Sequence, residues 1–390
     1  MSNVSPKRLG DLITLKRGYD LPEKDRIKGL FPVISSSGIS GYHNDYKVEG
    51  EGVVTGRYGT LGQMYFVDGK YWPHNTALYV KDFKSNDPKY IYYLLSCIGR
   101  IRTSDKSAVP GVNRNELHEM AVPAIEDKQS QIAVRNLLWS VDKKIELNNK
   151  INAGLEAMAK LIYDYWFVQF DFPDANGKPY KSSGGKMVYN QVLKREIPEG
   201  WNSYALGSIL NTELGGTPST KVSEYWIGQI PWLDSGEVAN FPIIESEKLI
   251  SESAITNSAT KLMPKGTCTL SITRHLRPSI LAVSACVNQS VVGVLENNEI
   301  KNSYIYPYLV NEIPRLMSLR TGAQQPHINK GIVDNSPILI PKNEILNVYY
   351  ENVDPLYSQI NNNAFQNKEL ISLRDWLLPM LMNGQVTVNQ

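Results

Sequence analysis

The sequence predicts an α+β protein in which two β-rich globular domains are joined by two long antiparallel helices, the second half repeating the first with pseudo-twofold symmetry. Three observations carry that expectation. Short motifs recur in collinear order. Each half opens with β-branched and aromatic runs broken by Gly, Pro and Ser, and each closes on a long segment with apolar residues at three- and four-residue steps.

The recurrence comes first because it sets the domain plan. Leu9-Gly10-Asp11 returns as Leu206-Gly207-Ser208, an offset of 197. Gly29-Leu30-Phe31-Pro32 returns as Gly228-Gln229-Ile230-Pro231 at 199, and Tyr90-Ile91-Tyr92 as Tyr304-Ile305-Tyr306 at 214. Val109-Pro110-Gly111-Val112-Asn113 matches Gln325-Pro326-His327-Ile328-Asn329 at 216, and the growing offset marks insertions in the second copy.

Runs such as Gly52-Val53-Val54-Thr55-Gly56 and Ser290-Val291-Val292-Gly293-Val294-Leu295 read as strands and turns. The helices are expected from about Glu126 to Phe167 and from about Asn343 to Met382. Each follows a proline, Pro123 or Pro341, that a helix interior would not tolerate. In the first, Leu138, Val141, Ile145, Asn148, Ile151, Leu155, Met158, Ile162 and Tyr165 form a coiled-coil seam with one extra three-residue step, a stammer. Adding 215 gives Val353, Leu356, Ile360, Asn363, Gln366, Leu370, Leu373, Leu377 and Met380, with the same stammer and the same shared Asn.

Asn148, Ile151, Leu155, Asn363 and Leu370 are therefore the expected interface residues, with Asn148 facing Asn363 as a register lock. On that reading Asn148→Leu raises thermal stability while loosening the register. Two equal rods bury their seams most symmetrically when antiparallel, and a helix of ~40 residues is ~60 Å long. The resulting plan is residues 1–124, a helix over 125–170, a connector over 171–200, residues 201–341, a helix over 342–384 and a tail over 385–390.

The composition, 42% hydrophobic and 21% charged over 390 residues, is that of a globular chain, and no run approaches the ~20 apolar residues of a membrane span. With a polar start at Met1 to Lys7, the expectation is a cytoplasmic protein without membrane contact. Cys97, Cys268 and Cys286 lie too far apart for a CxxC site and read as small buried hydrophobes. Enzyme signatures are missing. There is no GxSxG, no complete P-loop, no HExxH among five scattered histidines, and Asn335-Ser336-Pro337-Ile338 lacks the second proline and aromatic of an adenine methyltransferase motif. A non-catalytic binding protein with no metal site is expected.

With a net charge of only +2, nucleic-acid binding must rest on local clusters. One, Gly99 to Arg114, holds Arg100, Arg102, Lys106, Asn113 and Arg114 against Asp105 alone. The other, Arg315 to Lys330, holds Arg315, Arg320, Gln324, Gln325 and Lys330 with no acid. Both precede a long helix. Arg suits guanine edges and phosphates, while Asn and Gln suit adenine. Three further loops supply Ser36, Arg57 with Tyr58, and Arg274 with Arg277.

The run Tyr163-Asp164-Tyr165-Trp166-Phe167-Val168-Gln169-Phe170-Asp171-Phe172-Pro173, with Gly177-Lys178-Pro179-Tyr180, Gly184-Gly185-Lys186-Met187 and Arg195-Glu196-Ile197-Pro198-Glu199-Gly200-Trp201, resembles the central conserved region of specificity subunits of type I restriction-modification systems. Leu373-Arg374-Asp375-Trp376-Leu377-Leu378-Pro379-Met380-Leu381-Met382-Asn383-Gly384-Gln385 resembles that family's distal region. The resemblance implies that residues 1–124 and 201–341 are target recognition domains, each reading one half of a split, non-palindromic site on double-stranded DNA. It also implies that the helices seat two methyltransferase (modification) subunits, which bring S-adenosylmethionine and methylate adenine. Restriction/translocase subunits would add ATP and Mg chemistry, none of these cofactors being bound by this chain. The competing readings from the residues are a duplicated protein-binding adaptor on a coiled-coil scaffold and a standalone enzyme with a site in the Gly56 to Gly62 loop.

Overall fold

The computed structural model describes residues 4–56, 63–104, 114–273, 275–322 and 326–388, without the side chains of residues 99–104. The chain forms two compact units, Met1–Glu146 with Lys368–Gln390, and Leu147–Asn367.

In unit 1, β1 (Val4–Arg8) pairs antiparallel with β10 (Ala121–Ile125), and α1 (Leu9–Leu12) follows directly. One four-stranded sheet orders β2 (Thr14–Arg17), β9 (Ala77–Asp82), β6 (Gly52–Gly56) and β7 (Met64–Val67) as β2-β9-β6-β7. The other orders β3 (Phe31–Ser35), β4 (Gly38–His43), β5 (Val48–Glu49) and β8 (Lys70–Pro73) as β4-β3-β8-β5, with β3 and β8 parallel. Helices α2 (Pro88–Ser104) and α3 (Arg114–Glu119) lead to the long α4 (Lys128–Tyr163).

Unit 2 follows the same plan strand for strand. After a hairpin of β11 (Met187–Asn190) and β12 (Arg195–Pro198), β13 (Asn202–Ala205) pairs with β22 (Pro337–Ile340) beside α5 (Leu206–Ile209). One sheet joins β14 (Thr212–Leu214), β21 (Val291–Val294), β18 (Cys268–Ser271) and β19 (Pro278–Ile280) in that order. The other joins β16 (Lys248–Ile250), β15 (Ile230–Leu233), β20 (Ala285–Val287) and β17 (Leu262–Met263), with β15 and β20 parallel. The helices are α6 (Glu252–Thr256), α7 (Asn302–Ser318), α8 (Lys330–Asp334) and α9 (Asn343–Met382).

The duplication reaches single contacts. A Cβ on Gly18 would sit 2.1 Å from the carbonyl oxygen of His74, and one on Gly215 would sit 2.2 Å from that of Asn288, so both copies need a glycine where the chain crosses this peptide. The Tyr90 hydroxyl accepts from Ile125 N–H, while that of its counterpart Tyr304 donates to the Leu339 carbonyl, so each ties its helix to the closing strand.

Motif residues in and around the 171–200 segment pack ring on ring. Phe172 stacks between Trp201, at 5.0 Å between ring centroids, and Tyr180, at 4.6 Å. Phe167 meets Tyr349 and Tyr304 edge-on at 4.8 and 4.9 Å, each contact worth about 0.5–1.5 kcal/mol beyond burial. The three cysteines are buried.

The seam differs from the sequence expectation. After Asn148, the residues turned inward are Asn152, Leu155, Ala159 and Tyr163, while Ile151 is 39% and Met158 52% exposed. No stammer occurs. The four-residue step from Asn148 to Asn152 restores the ordinary helical alternation, and Asn363 to Asn367 repeats it, with Gln366 exposed and Leu370 half-buried. Nor do Asn148 and Asn363 hydrogen-bond each other. The Asn148 amide donates to Gln366 Oε1 and Asn367 Oδ1, both at 2.8 Å, and Asn363 donates to Asn152 Oδ1 at 2.8 Å. Partner numbers on α9 fall as those on α4 rise, so the segments run antiparallel within unit 2. In unit 1, Arg374 on α9 binds Asp142 on α4 at 2.8 Å.

Candidate functional site

Among the described residues, loops proposed for nucleic-acid contact come together in unit 2. The segment before α8 and the turn between β18 and β19 are joined by main-chain bonds. Ile328 N–H donates to Ile272 at 3.0 Å, and His327 and Thr321 exchange bonds of 3.0 and 2.9 Å. Thr273 also bridges His327. The exposed Arg277, residues 320–322 and residues 326–330 therefore belong to one loop cluster, and Arg277 makes no ion pair among the described residues.

The other cations of that cluster are engaged locally. Lys330 binds Asp334 at 2.7 Å one turn along α8, and Arg315 binds Glu312 at 2.6 Å and Ser336 at 2.5 Å. Arg320 donates to the Met317 carbonyl at 3.1 Å. Asn329 accepts from Ile332 N–H at 3.0 Å as a helix cap. The cluster is therefore not acid-free. The 315–330 window stops just short of Glu312 and Asp334, which helical spacing of three and four residues brings alongside Arg315 and Lys330.

In unit 1, Arg114 opens α3 and is exposed. His118, a turn later, accepts from Leu15 N–H through Nε2 at 2.9 Å. Burial first, then the charges of Arg114 and Lys84, hold its imidazole below the ordinary histidine value. Ser36 is half-buried in the β3–β4 turn, and its N–H donates to Thr76 at 3.4 Å. Arg57, Tyr58, Lys106, Asn113, Arg274, Gln324 and Gln325 lie outside the described residues, as do the side chains of Arg100 and Arg102 on α2. Among the described residues no group of three His, Cys, Asp or Glu is placed to hold a metal. Among the described residues no helix is long and apolar enough to cross a membrane.

A second surface escaped the sequence reading. Leu147, Ile151, Met158, Leu161, Tyr165 and Val168 are all exposed and, with Gly154, follow alternating steps of four and three residues along α4 and the π-helical turn Asp164–Val168. Leu161 is 66% exposed. On α9, Ile371, Leu373 and Trp376 are likewise exposed. Ile151, Met158 and Tyr165, assigned to the helix–helix seam by sequence, belong to this outer stripe. The signal was present in Leu147, Leu161 and Val168, apolar residues left over once one seam was drawn, because a helix with two such stripes has two faces to cover.

Comparison with known proteins agrees with these features. The family model described as "Type I restriction modification DNA specificity domain" matches residues 1–157 and 198–372. The chain is 27% identical over 312 residues to the MjaIX specificity subunit of Methanocaldococcus jannaschii, covering 77% of this chain and 70% of that one. It is 22% identical over 317 residues to the HindI specificity subunit of Haemophilus influenzae, covering 67% and 68%. The fold is similar to the crystal structure of a type I restriction-modification S subunit from M. genitalium, with a TM-score of 0.60, 16% identity and coverage of 97% and 96%. Matched in both copies of its duplicated plan, the chain belongs to the DNA specificity subunits of type I restriction-modification systems.

Proposed function

We propose that each unit reads one half of a bipartite, non-palindromic site on double-stranded DNA, and that the paired helices act as a pseudo-twofold coiled coil whose length sets the unread spacer. The observation that carries this reading is the repetition of one strand order in two units whose loops differ: β3 and β4 are joined by residues 36–37, β15 and β16 by residues 234–247. One scaffold presenting two different loop sets suits two different half-sites. Arg114 and Arg277 are the described cations best placed for phosphates or guanine edges, with Arg57, Arg100, Arg102, Lys106 and Arg274 as further contacts.

The exposed stripe on α4 is the proposed seat for helices of two methyltransferase subunits, with restriction/translocase subunits joining the assembly in the cytoplasm. The partners would bind S-adenosylmethionine, ATP and Mg2+, while this chain contributes recognition and no catalytic group. The same stripe would also suit a protein-binding adaptor that ignores DNA. Affinity for duplex DNA that falls steeply with salt favours the first reading, because phosphate neutralisation releases counterions. The decisive experiment maps adenine methylation in cells after residues 1–120 are exchanged for those of a relative. One half of the methylated sequence should change, and a change in both halves would defeat the two-reader scheme.

A further inference from the structure

The two units differ at one groove in a way the DNA reading does not use. In unit 2, residues 234–247 double back along β19. Ile243 N–H donates to the Ile280 carbonyl at 2.9 Å, and Ala282 N–H donates to Ile243 at 2.8 Å. Two residues earlier, Phe241 stacks on Tyr306 at 4.5 Å and meets Tyr357 edge-on at 6.5 Å. The edge strand is thus extended and the rings are covered by the unit's own chain.

Strand pairing identifies the matching positions in unit 1. Val54 lies between Tyr79 and Tyr65 as Thr269 lies between Gly293 and Ser279, so Phe66, Val67 and Asp68 correspond to Ile280, Leu281 and Ala282. Tyr92 corresponds to Tyr306 at offset 214, and Asp142 to Tyr357 at 215. There the short β3–β4 turn supplies no covering segment. What remains is a cavity of about 480 Å³ lined by Ile39, Phe66, Tyr92, Trp139 and Asp142 among others. Phe66 meets Trp139 at 5.1 Å and Tyr92 at 6.1 Å, Ile39 is 60% exposed, and β7 is the edge of its sheet.

We propose that this groove docks an extended segment of a partner polypeptide carrying an aromatic residue followed two positions later by an aliphatic one. The segment adds beside β7 by main-chain bonds to the Phe66 carbonyl and the Asp68 N–H, and its ring covers Tyr92. The filled groove of unit 2 is the template for the occupant's chemistry, and an aromatic shelf beside an unextended strand edge offers both the anchor and the hydrogen bonds.

The test uses the full chain and a fluorescent peptide with the sequence of residues 238–246, Val-Ala-Asn-Phe-Pro-Ile-Ile-Glu-Ser, read by anisotropy. Saturable binding is expected, weakened at least about tenfold by Phe→Ala in the peptide and by Ile39→Glu or Trp139→Ala in the protein, tenfold corresponding to about 1.4 kcal/mol. Ile39→Glu changes an exposed side chain, so folding is preserved and checked by the thermal transition. No binding at millimolar peptide, equal binding by both variants, or displacement by duplex DNA would each overturn the proposal, the last by assigning the groove to the nucleic-acid surface. Duplex binding measured on the same variants keeps failure of this inference distinct from failure of the DNA reading.

Discussion

Replacing Asn148 and Asn367 by leucine, singly and together, tests how the helix pair holds its register. Asn148 is fully buried. Its amide nitrogen serves Gln366 and Asn367, while its Oδ1 has no partner among the described residues. Asn148→Leu removes that orphaned oxygen, a gain of about 1–3 kcal/mol, but strips the buried Asn367 Oδ1 of its donor at a similar cost. The single change should therefore lie near zero, contrary to the stabilisation expected from the sequence alone. Asn367→Leu leaves Asn148 bound to Gln366 and should cost about 0.5–1.5 kcal/mol. The double change removes both buried amides and should stabilise by about 1–3 kcal/mol. At about 2–4 °C per kcal/mol for a unit of this size, that is a rise of several degrees. Calorimetry of the four proteins closes the cycle. Effects that add within about 0.5 kcal/mol, or a single Asn148→Leu as stabilising as the pair, would refute the reasoning.

Arg277→Ala should weaken duplex binding and lower the salt slope by about one phosphate contact, whereas Lys330→Ala, already paired with Asp334, should change it less; equal slopes in titrations at several salt concentrations would remove Arg277 from the interface. Leu161→Glu on the outer stripe should leave the thermal transition in place but abolish co-purification with a methyltransferase subunit, and intact assembly would show that the stripe faces something else. His118→Gln keeps an acceptor for Leu15 N–H but cannot titrate. Because the folded imidazole lies below its ordinary value, its contribution to stability is present above about pH 6.5 and is lost as pH falls through the folded value. Wild type should therefore lose stability relative to the variant between pH 7 and 5.5, and superimposed profiles would contradict this.

The duplication and the second helix were readable because both are written in spacing. Leu9 and Leu206, or Tyr90 and Tyr304, keep their order along the chain, and α9 runs from Asn343 to Met382 as expected. The seam was misread from Ile151 onward because Ile151 and Asn152 compete for the inward position. Hydrophobicity favours Ile151, but the amides of Asn363 and Asn367 satisfy Asn152 and Asn148 across the pair. The second basic cluster looked unopposed because a window of sequence hides acids one turn outside it. The covered groove of unit 2 could not be read at all, since nothing in Phe241-Pro242-Ile243 announces which ring or strand edge it will meet.

The amide contacts also bear on how the two copies can diverge. At offset 215, Asn152 corresponds to Asn367 and Asn148 to Asn363, so Asn148 with Asn367 and Asn152 with Asn363 are the same contact made twice, each time by one residue from each copy. A substitution at any of the four takes a hydrogen bond from an amide of the other copy, so drift there is favoured in matched steps. The loops of either unit, with no counterpart in the other to satisfy, can change length and sequence independently, as residues 234–247 have done relative to 36–37. One gene can thus evolve quickly at its variable surfaces while its two halves police each other at the helices.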